Sequence, residues 1–289
     1  MPASPIIKNV AIVGATGRMG SAFCKELVKT GRHTITALIR VGSKGSLYDG
    51  VIRREVNFES KESLVSALSG QQFLVITLPV TAPEGTHSRI VQAAAKAGVT
   101  YIMPNSFSYD IRHEDMVKED MYSAGSVAMC KEIEATGIHY IAMACGFWYQ
   151  WSLVFGENFF GIDIKSKKSG LGKARFASSE RRQSMPRSVK QPAYLHCELT
   201  VSRRVMLDSV HRVLGDSDVD WKSQYEPNAE RYNDALKEMQ AGDQSGFFKC
   251  IYTRPFYHNG GGNYRATRGL DNDKLGLSKE NLDECKTII

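Results

Sequence analysis

The sequence lacks any run of about 18 uncharged apolar residues, so we expect no membrane-spanning helix and no membrane partner. It opens with Met-Pro-Ala-Ser-Pro, without a basic stretch followed by an apolar one, and we expect no secretory signal. The cysteines form no CxxC pair, which argues against disulfides and fits a reducing, cytoplasmic location. No His, Cys and acidic residues show metal-ligand spacing, so no metal is expected. The six cysteines are Cys24, Cys130, Cys145, Cys197, Cys250 and Cys285.

Aromatic residues are scarce in the most basic part of the chain. From Asp163 to Lys190 there are nine lysines and arginines against two acidic residues, and Phe176 is the one aromatic side chain. Binding of single-stranded nucleic acid relies on aromatic side chains that stack on bases. We therefore expect no nucleic-acid partner and predict a mobile, solvated basic loop at 164–192.

Short apolar strands and amphipathic helices alternate over residues 8–145. Helices of about ten residues between such strands predict βαβ units, and hence a Rossmann-type α/β fold with a doubly wound parallel sheet. The last helix of this series is predicted at Val127–Thr136. After Gly146 the alternation stops. We predict a dinucleotide-binding domain at 1–150 and a smaller C-terminal α+β substrate region at 151–289.

Three glycines follow the first strand at the spacing GxxGxxG. Gly14 permits a tight turn, Gly17 lets the backbone approach a pyrophosphate, and Gly20 lets the next helix pack on the strand. A glycine-rich turn without a ligand is the alternative, but the position between strand and helix favours a dinucleotide site. The predicted cofactor-binding residues of this motif are Gly14, Thr16, Gly17, Arg18, Met19 and Gly20.

No acidic residue follows the second strand, where an NAD-selective site places one for the ribose hydroxyls. Arg40 ends that strand, and Lys44 lies four residues further on. A guanidinium there matches a 2′-phosphate in charge and geometry, so the sequence predicts NADPH as cofactor. The alternative is an ordinary surface arginine.

The later strands also end in candidate ligand-binding residues. In open α/β sheets the ligand lies beyond the carboxyl ends of the strands. We predict Asn57 and Phe58 near the adenine, and Leu78, Pro79 and Asn105 near the second ribose. Each of these alone could be an ordinary strand end.

The motifs together resemble a known family. Gly14-Ala-Thr-Gly-Arg-Met-Gly20, Pro104-Asn-Ser-Phe107 and Glu134-Ala-Thr-Gly-Ile-His-Tyr140 are similar to the NmrA-like and isoflavone-reductase-like atypical short-chain dehydrogenases. Gly146-Phe-Trp-Tyr-Gln-Trp-Ser-Leu153 resembles a fungal branch of that group, which suggests secondary metabolism. The resemblance covers residues 7–162 and 193–289. It implies an NADPH-binding protein, either a reductase of aromatic-conjugated substrates or, as in NmrA relatives, a redox sensor without turnover.

The resemblance also implies catalytic positions. The plant reductases carry a lysine where this chain has Ser126, and the YxxxK motif of ordinary short-chain dehydrogenases is half present, as Tyr122 followed by Ser126. Tyr122 is our candidate proton donor, although a tyrosine at a helix start is its plainer interpretation. Ser106 could bind a substrate carbonyl or simply form a turn, and Lys131 could replace the missing lysine.

Aromatic residues after the fifth and sixth strands could stack on a substrate or form part of a core. The predicted substrate-binding residues are Phe107, Phe147, Trp148 and Trp151. His113 is a further candidate acid, and His139 is expected to be structural. We expect an NADPH-dependent reductase of an aromatic or polyketide-like small molecule, with an NADP(H) sensor or a cofactor-scaffolded isomerase or cyclase as alternatives. A homodimer is the one protein assembly that we allow for.

Overall fold

The computed structural model describes residues 6–79, 81–107, 109–119, 121–172, 193–196, 201–257, 261–275 and 281–287. The chain divides into two compact units, and neither is one continuous segment. The first comprises Met1–Ser106, Gly125–Ala142 and Arg187–Tyr194, and the second comprises Phe107–Ala124, Met143–Pro186 and Leu195–Ile289. This division differs from the single boundary predicted after residue 150, because Phe107–Ala124 groups with later parts of the chain.

The first part of the chain alternates strands and helices. Its elements are β1 Asn9–Val13, α1 Arg18–Lys29, β2 Thr34–Arg40, β3 Ile52–Val56, α2 Lys61–Leu68, β4 Phe73–Ile76, α3 Thr86–Ala97, β5 Tyr101–Met103, α4 Glu114–Glu119, α5 Met121–Ala135 and β6 His139–Ala144. The helix predicted at Val127–Thr136 thus begins six residues earlier, and α4 was not predicted. α5 includes Gly125, a poor helix former that hides its start from a reading of local sequence.

The remaining elements lie in the later part of the chain. They are α6 Tyr149–Leu153, β7 Ile162–Asp163, β8 Lys168–Gly172, β9 Ala193–His196, α7 Arg203–Leu214, β10 Lys222–Glu226, α8 Asn228–Gln240, α9 Gln244–Thr253 and α10 Tyr264–Thr267, with 3₁₀ turns at Gly156–Asn158, Asp218–Asp220, Arg254–Phe256 and Leu282–Thr287. Within the described ranges, no helix is both long and apolar enough to cross a membrane.

The main sheet has the strand order β3-β2-β1-β4-β5-β6-β9, and the first six strands run parallel. Consecutive residues of β1 and β2 are buried on both faces of the sheet, as expected when helices cover both sides. The Rossmann-type fold predicted from the alternation is therefore confirmed. Val13 pairs with Leu38 on one side and with Ile76 on the other, so β1, β2 and β4 end at the same edge.

The second unit contains a small sheet of order β10-β8-β7. β8 runs parallel to β10 and antiparallel to β7. Leu171 of β8 is buried in an aromatic core that includes Phe160, Trp221 and Tyr252. The prediction of a mobile loop from residue 164 is therefore wrong for Lys168–Gly172, because the pairing that orders this strand comes from residues about fifty positions away. Residues 173–192 of the predicted loop lie outside the described ranges.

Candidate functional site

The glycine motif forms a turn that side chains would obstruct. Gly14 has φ +79°, and a Cβ there would lie 2.3 Å from the carbonyl oxygen of Thr77. A Cβ on Gly20 would lie 2.2 Å from the carbonyl oxygen of Gly14. Both distances are far inside van der Waals contact, so these two glycines let the N-terminus of α1 pack against the end of β1.

Gly17 differs from the other two glycines because it faces outward. It is the N-cap of α1, has an ordinary φ of −79° and offers no side-chain cap to the helix. A Cβ there would meet only the Gly14 carbonyl oxygen, at 3.2 Å. The first turn of α1 holds no acidic residue. The bare, electropositive end of a helix with no Cβ in front of it can hold a phosphate.

Thr77 supports this turn from the end of the neighbouring strand, a role that was not predicted from the sequence. Its hydroxyl donates to the Val13 carbonyl oxygen at 2.7 Å, and its backbone N–H donates to the same oxygen at 3.0 Å. The last carbonyl of β1 is thereby held just before Gly14. The sequence offers no signal for this role, because it depends on the parallel pairing of two strands 64 residues apart.

The end of β2 presents positive charge to solvent. Arg40 and Lys44 are both exposed, and the turn that joins them is closed by a bond from the Ser43 N–H to the Arg40 carbonyl, 3.0 Å long. Gly42 allows this turn with φ +77°. No acidic residue occurs from Val41 to Tyr48. The arrangement suits a phosphate monoester, and this segment lacks the acidic side chain that would bind the hydroxyls of an unphosphorylated ribose.

The segment after β3 is a closed turn. The Asn57 N–H donates to Ser63 Oγ, and the Asn57 side-chain oxygen accepts from the Glu59 N–H. Both distances are 3.0 Å. Arg89 of α3 donates to the Phe58 carbonyl at 3.1 Å and to the Glu59 carboxylate at 2.8 Å. Arg89 was not predicted, yet it holds the carbonyl of Phe58, one of the two residues that we assigned to the adenine.

The ends of β4 and β5 are joined by a side chain. Asn105 Nδ2 donates to the Leu78 carbonyl at 2.8 Å, and Pro79 is exposed beside it. Ser106 is buried, with its N–H bonded to the Pro104 carbonyl. The structure thus brings Leu78 and Asn105 together, as the prediction for the second ribose requires.

Three of the catalytic candidates, Tyr122, Ser126 and Lys131, lie on α5, whereas Ser106 follows β5. Ser126 is on α5 and its residue is 2% exposed, while Lys131 on the same helix is exposed. Tyr122 lies in the first turn of α5, and its side chain is outside the described part of the structure. Burial raises the pKa of the Cys130 thiol, one turn beyond Ser126, to about 12, so this thiol carries no nucleophilic thiolate near neutral pH.

The predicted substrate-binding aromatics belong to the second unit. Phe107 is buried, and the Phe147 ring stacks on Tyr252 with centroids 4.0 Å apart. This packing is that of a core residue. Trp148 is 41% exposed, more than Phe107 or Phe147. Trp151 lies on α6, and its side chain is not among those that the structure describes.

The two histidine candidates have structural contacts. His113 Nδ1 accepts from the Met116 N–H at 3.4 Å, and its ring lies against Gly261, where a Cβ would be 2.2 Å away. His139 begins β6, exposed, with its ring 6.0 Å from that of Tyr101. Among the residues that the structure describes, no group of three His, Cys, Asp or Glu could hold a metal ion.

A comparison with known protein families identifies the family of this chain. A family model described as the NmrA-like family matches residues 7–191, well over half of the 289 residues. The chain belongs to the NmrA-like family. This NmrA-like protein is 24% identical over 292 residues to Oxidoreductase aprR of Aspergillus flavus, with 96% of each chain covered. The family predicted from the glycine motif and the later segments is confirmed.

Solved structures share the fold of this NmrA-like chain. Isoflavone reductase matches with a TM-score of 0.72 at 17% identity, covering 96% of this chain and 98% of the other. An NADPH-dependent quinone oxidoreductase of Escherichia coli, complexed with NADPH, matches with a TM-score of 0.64 at 19% identity and the same coverage of both chains. At these identities the likeness concerns the fold, and the site must be judged on its own residues.

Proposed function

We propose that this NmrA-like protein binds NADPH and reduces an aromatic or polyketide-like small molecule. The observation that carries the proposal is the exposed N-terminus of α1 behind Gly17, together with the exposed cations Arg40 and Lys44 at the end of the next strand. One of these features accepts a pyrophosphate, and the others accept a 2′-phosphate. NAD(H) would leave the two cations unused.

Each part of the cofactor has residues that would hold it. The N–H groups at the start of α1 would bind the pyrophosphate, and Gly17 keeps the approach open. Asn57 and Phe58 would contact the adenine from a turn that Arg89 fixes. The pair formed by Leu78 and Asn105 would support the nicotinamide ribose. When bound, NADPH supplies a hydride for transfer to the substrate.

The names of the relatives support reduction as the reaction class. The Aspergillus flavus relative is called an oxidoreductase, and the two structural neighbours are an isoflavone reductase and an NADPH-dependent quinone oxidoreductase. Isoflavones and quinones are conjugated and aromatic or aromatic-like. The exposed Trp148 is compatible with such a substrate, since an indole ring can stack on a flat conjugated one.

Reduction of a conjugated carbonyl leaves an anion that the protein must stabilise or protonate. Ser126 carries no positive charge at the position where the plant reductases have lysine. We assign the proton donor to Tyr122, because it has the tyrosine position of the YxxxK pattern. Ser106 would orient the substrate carbonyl. Lys131 would be the cation that replaces the missing lysine.

The test is oxidation of NADPH followed by absorbance across a panel of aromatic ketones, enones and quinones. General acid catalysis contributes about 10²- to 10⁴-fold, so Tyr122→Phe should lower kcat by about that factor while NADPH affinity stays unchanged. Ser126→Lys should raise activity toward isoflavone-like substrates. A Tyr122→Phe variant that retains full activity would contradict the assignment of the proton donor.

A second candidate function is an NADP(H) sensor without turnover. The buried, neutral Ser126 favours it, because the cationic group of the related reductases is missing there. In that case NADPH binds tightly, but neither wild type nor Ser126→Lys oxidises it above background with any substrate in the panel. A cofactor-scaffolded isomerase or cyclase would instead convert a substrate without net consumption of NADPH.

A further inference from the structure

Arg53 lies on β3, the outer strand of the main sheet, and its guanidinium reaches back to the preceding loop. Nη1 donates to the Ser43 carbonyl at 3.1 Å, and Nη2 donates to the Ser43 carbonyl at 2.9 Å and to the Gly45 carbonyl at 3.0 Å. One side chain thus holds the two carbonyls on either side of Lys44. Bonds from a charged donor are stronger than those between neutral groups.

The loop that Arg53 holds would otherwise be loose. It contains Gly42 and Gly45, and glycine loses more conformational freedom than any other residue when it becomes ordered. At Gly45 a Cβ would lie 2.7 Å from Thr16 Cγ2, so this part of the loop rests directly on the glycine motif. The contact sets the position of Lys44 relative to the N-terminus of α1.

Arg54, the next residue, donates the same kind of hydrogen bond to a different part of the fold. Successive side chains of a strand point to opposite faces, and Arg54 Nη1 donates to the Ser66 carbonyl at 3.3 Å and to the Ala67 carbonyl at 3.2 Å. These carbonyls belong to the last turns of α2, away from the residues assigned to the cofactor. Arg54 is therefore a matched control for Arg53, with the same strand, side chain and type of acceptor.

We infer that Arg53 is a positioning residue for cofactor selectivity, which acts by fixing Lys44 beside the 2′-phosphate of NADPH. The inference rests on the proposed function. A cation that is already held in its binding position loses less entropy when the phosphate arrives, so the loop contributes to affinity without touching the ligand. NADH lacks the 2′-phosphate, so Lys44 has no phosphate to bind on that cofactor.

The experiment is a calorimetric titration of NADPH and of NADH into the full chain and five variants. Arg53→Gln should weaken NADPH binding by about threefold to tenfold and leave NADH binding unchanged, whereas Arg54→Gln should change neither. Lys44→Ala should weaken NADPH binding at least as much. In the double variant Arg53→Gln/Lys44→Ala, NADPH affinity should equal that of Lys44→Ala alone, because Arg53 acts through Lys44.

Four results would overturn the inference. Additive losses in the double variant would mean that Arg53 acts independently of Lys44. Equal losses for NADPH and NADH in Arg53→Gln, or a loss of the same size in Arg54→Gln, would mean general damage to the sheet edge. The variant Arg40→Ala distinguishes failure of the inference about Arg53 from failure of the proposed function. If Arg40→Ala lowers the preference for NADPH and Arg53→Gln does not, only the role of Arg53 is wrong.

Discussion

One exposed arginine of the first unit and two buried arginines of the second unit are used in opposite ways. In the first unit, Arg40 lies exposed at the end of a strand, and no described carboxylate pairs with it. In the second unit, Arg203 and Arg231 are buried and donate to acceptors of the protein: Arg231 bonds to Glu226, to Thr253 and to a backbone carbonyl. The exposed cation is available to a ligand, whereas the buried ones are committed to the fold.

Arg203 and Arg231 show how strongly the second unit depends on the hydrogen bonds of its buried arginines. Burial, and then the nearby charge of Arg231, lower the pKa of Arg203 to about 9. Arg203 donates to the Tyr252 carbonyl at 3.0 Å, and its guanidinium lies 4.9 Å from the centre of the Phe256 ring. Two adjacent buried cations are tolerated only because each has acceptors, so we expect the loss of either to be costly.

The largest expected effect therefore lies in the second unit. Arg231→Leu leaves Glu226 without its partner and removes a bond to Thr253, and it should lower the free energy of unfolding by about 3–5 kcal/mol. Chemical denaturation measures this change. Lys237→Gln breaks an exposed pair with Asp234 and should leave the midpoint almost unchanged. Similar midpoints for the two variants would show that the buried Arg231 pair matters no more to stability than the exposed Lys237 pair.

The glycine motif allows the comparison to be made within the first unit. Gly20→Ala places a Cβ 2.2 Å from a carbonyl oxygen and should destabilise the fold by about 3 kcal/mol. Gly17→Val adds a side chain in the open and should abolish NADPH binding while the chain stays folded. Thermal melting and cofactor titration separate the two effects. Normal NADPH binding by Gly17→Val would show that the pyrophosphate does not lie there.

Much of the first unit could be predicted, because its order is local. The sequence pattern alone predicts a helix from Lys61 to Leu68 and a strand from His139 to Ala144, and α2 and β6 have these bounds. The roles of Gly14 and Gly20 follow from where a strand meets a helix. The second unit is different. β8 is ordered by its pairing with β10, in which Ser169 lies opposite Ser223, and no local pattern contains that information.

The candidate site divides in the same way. The residues that would touch the cofactor, such as Gly17 and Arg40, follow from the motif and the strand ends. The residues that support the candidate site could not be predicted. Thr77, Arg53 and Arg89 donate to backbone carbonyls, and the sequence does not show which carbonyls lie within their reach. A supporting arginine looks like any surface arginine until the fold shows its acceptor.

The smallest expected effect concerns pH and the second unit. Burial alone would raise the pKa of Asp216, but hydrogen bonds from His211, Trp221 and Lys167 lower it to about 2. A carboxyl group with a lowered pKa stabilises the fold fully above about pH 4, and this contribution is lost as the pH falls toward 2. The stability difference between wild type and Asp216→Asn should therefore shrink by about 2 kcal/mol over that range.

The control for this prediction is Asp218→Asn. The Asp218 side chain is about half exposed and also bonds to His211, so its pH-dependent contribution should be the smaller of the two. Denaturation curves at pH 6, 4 and 2.5 give both differences. A gap between wild type and Asp216→Asn that stays constant with pH would mean that this carboxylate is not held by its three donors.

The central claim is that the exposed cations at the end of β2 select the phosphorylated cofactor. It is tested most directly by calorimetric titration of NADPH and NADH into the wild-type protein and Arg40→Ala. A charge-assisted hydrogen bond contributes about 1.5–3 kcal/mol, so wild type should bind NADPH roughly tenfold to a hundredfold more tightly, and Arg40→Ala should lose most of that preference. Equal affinities of the wild-type protein for the two cofactors would contradict the account.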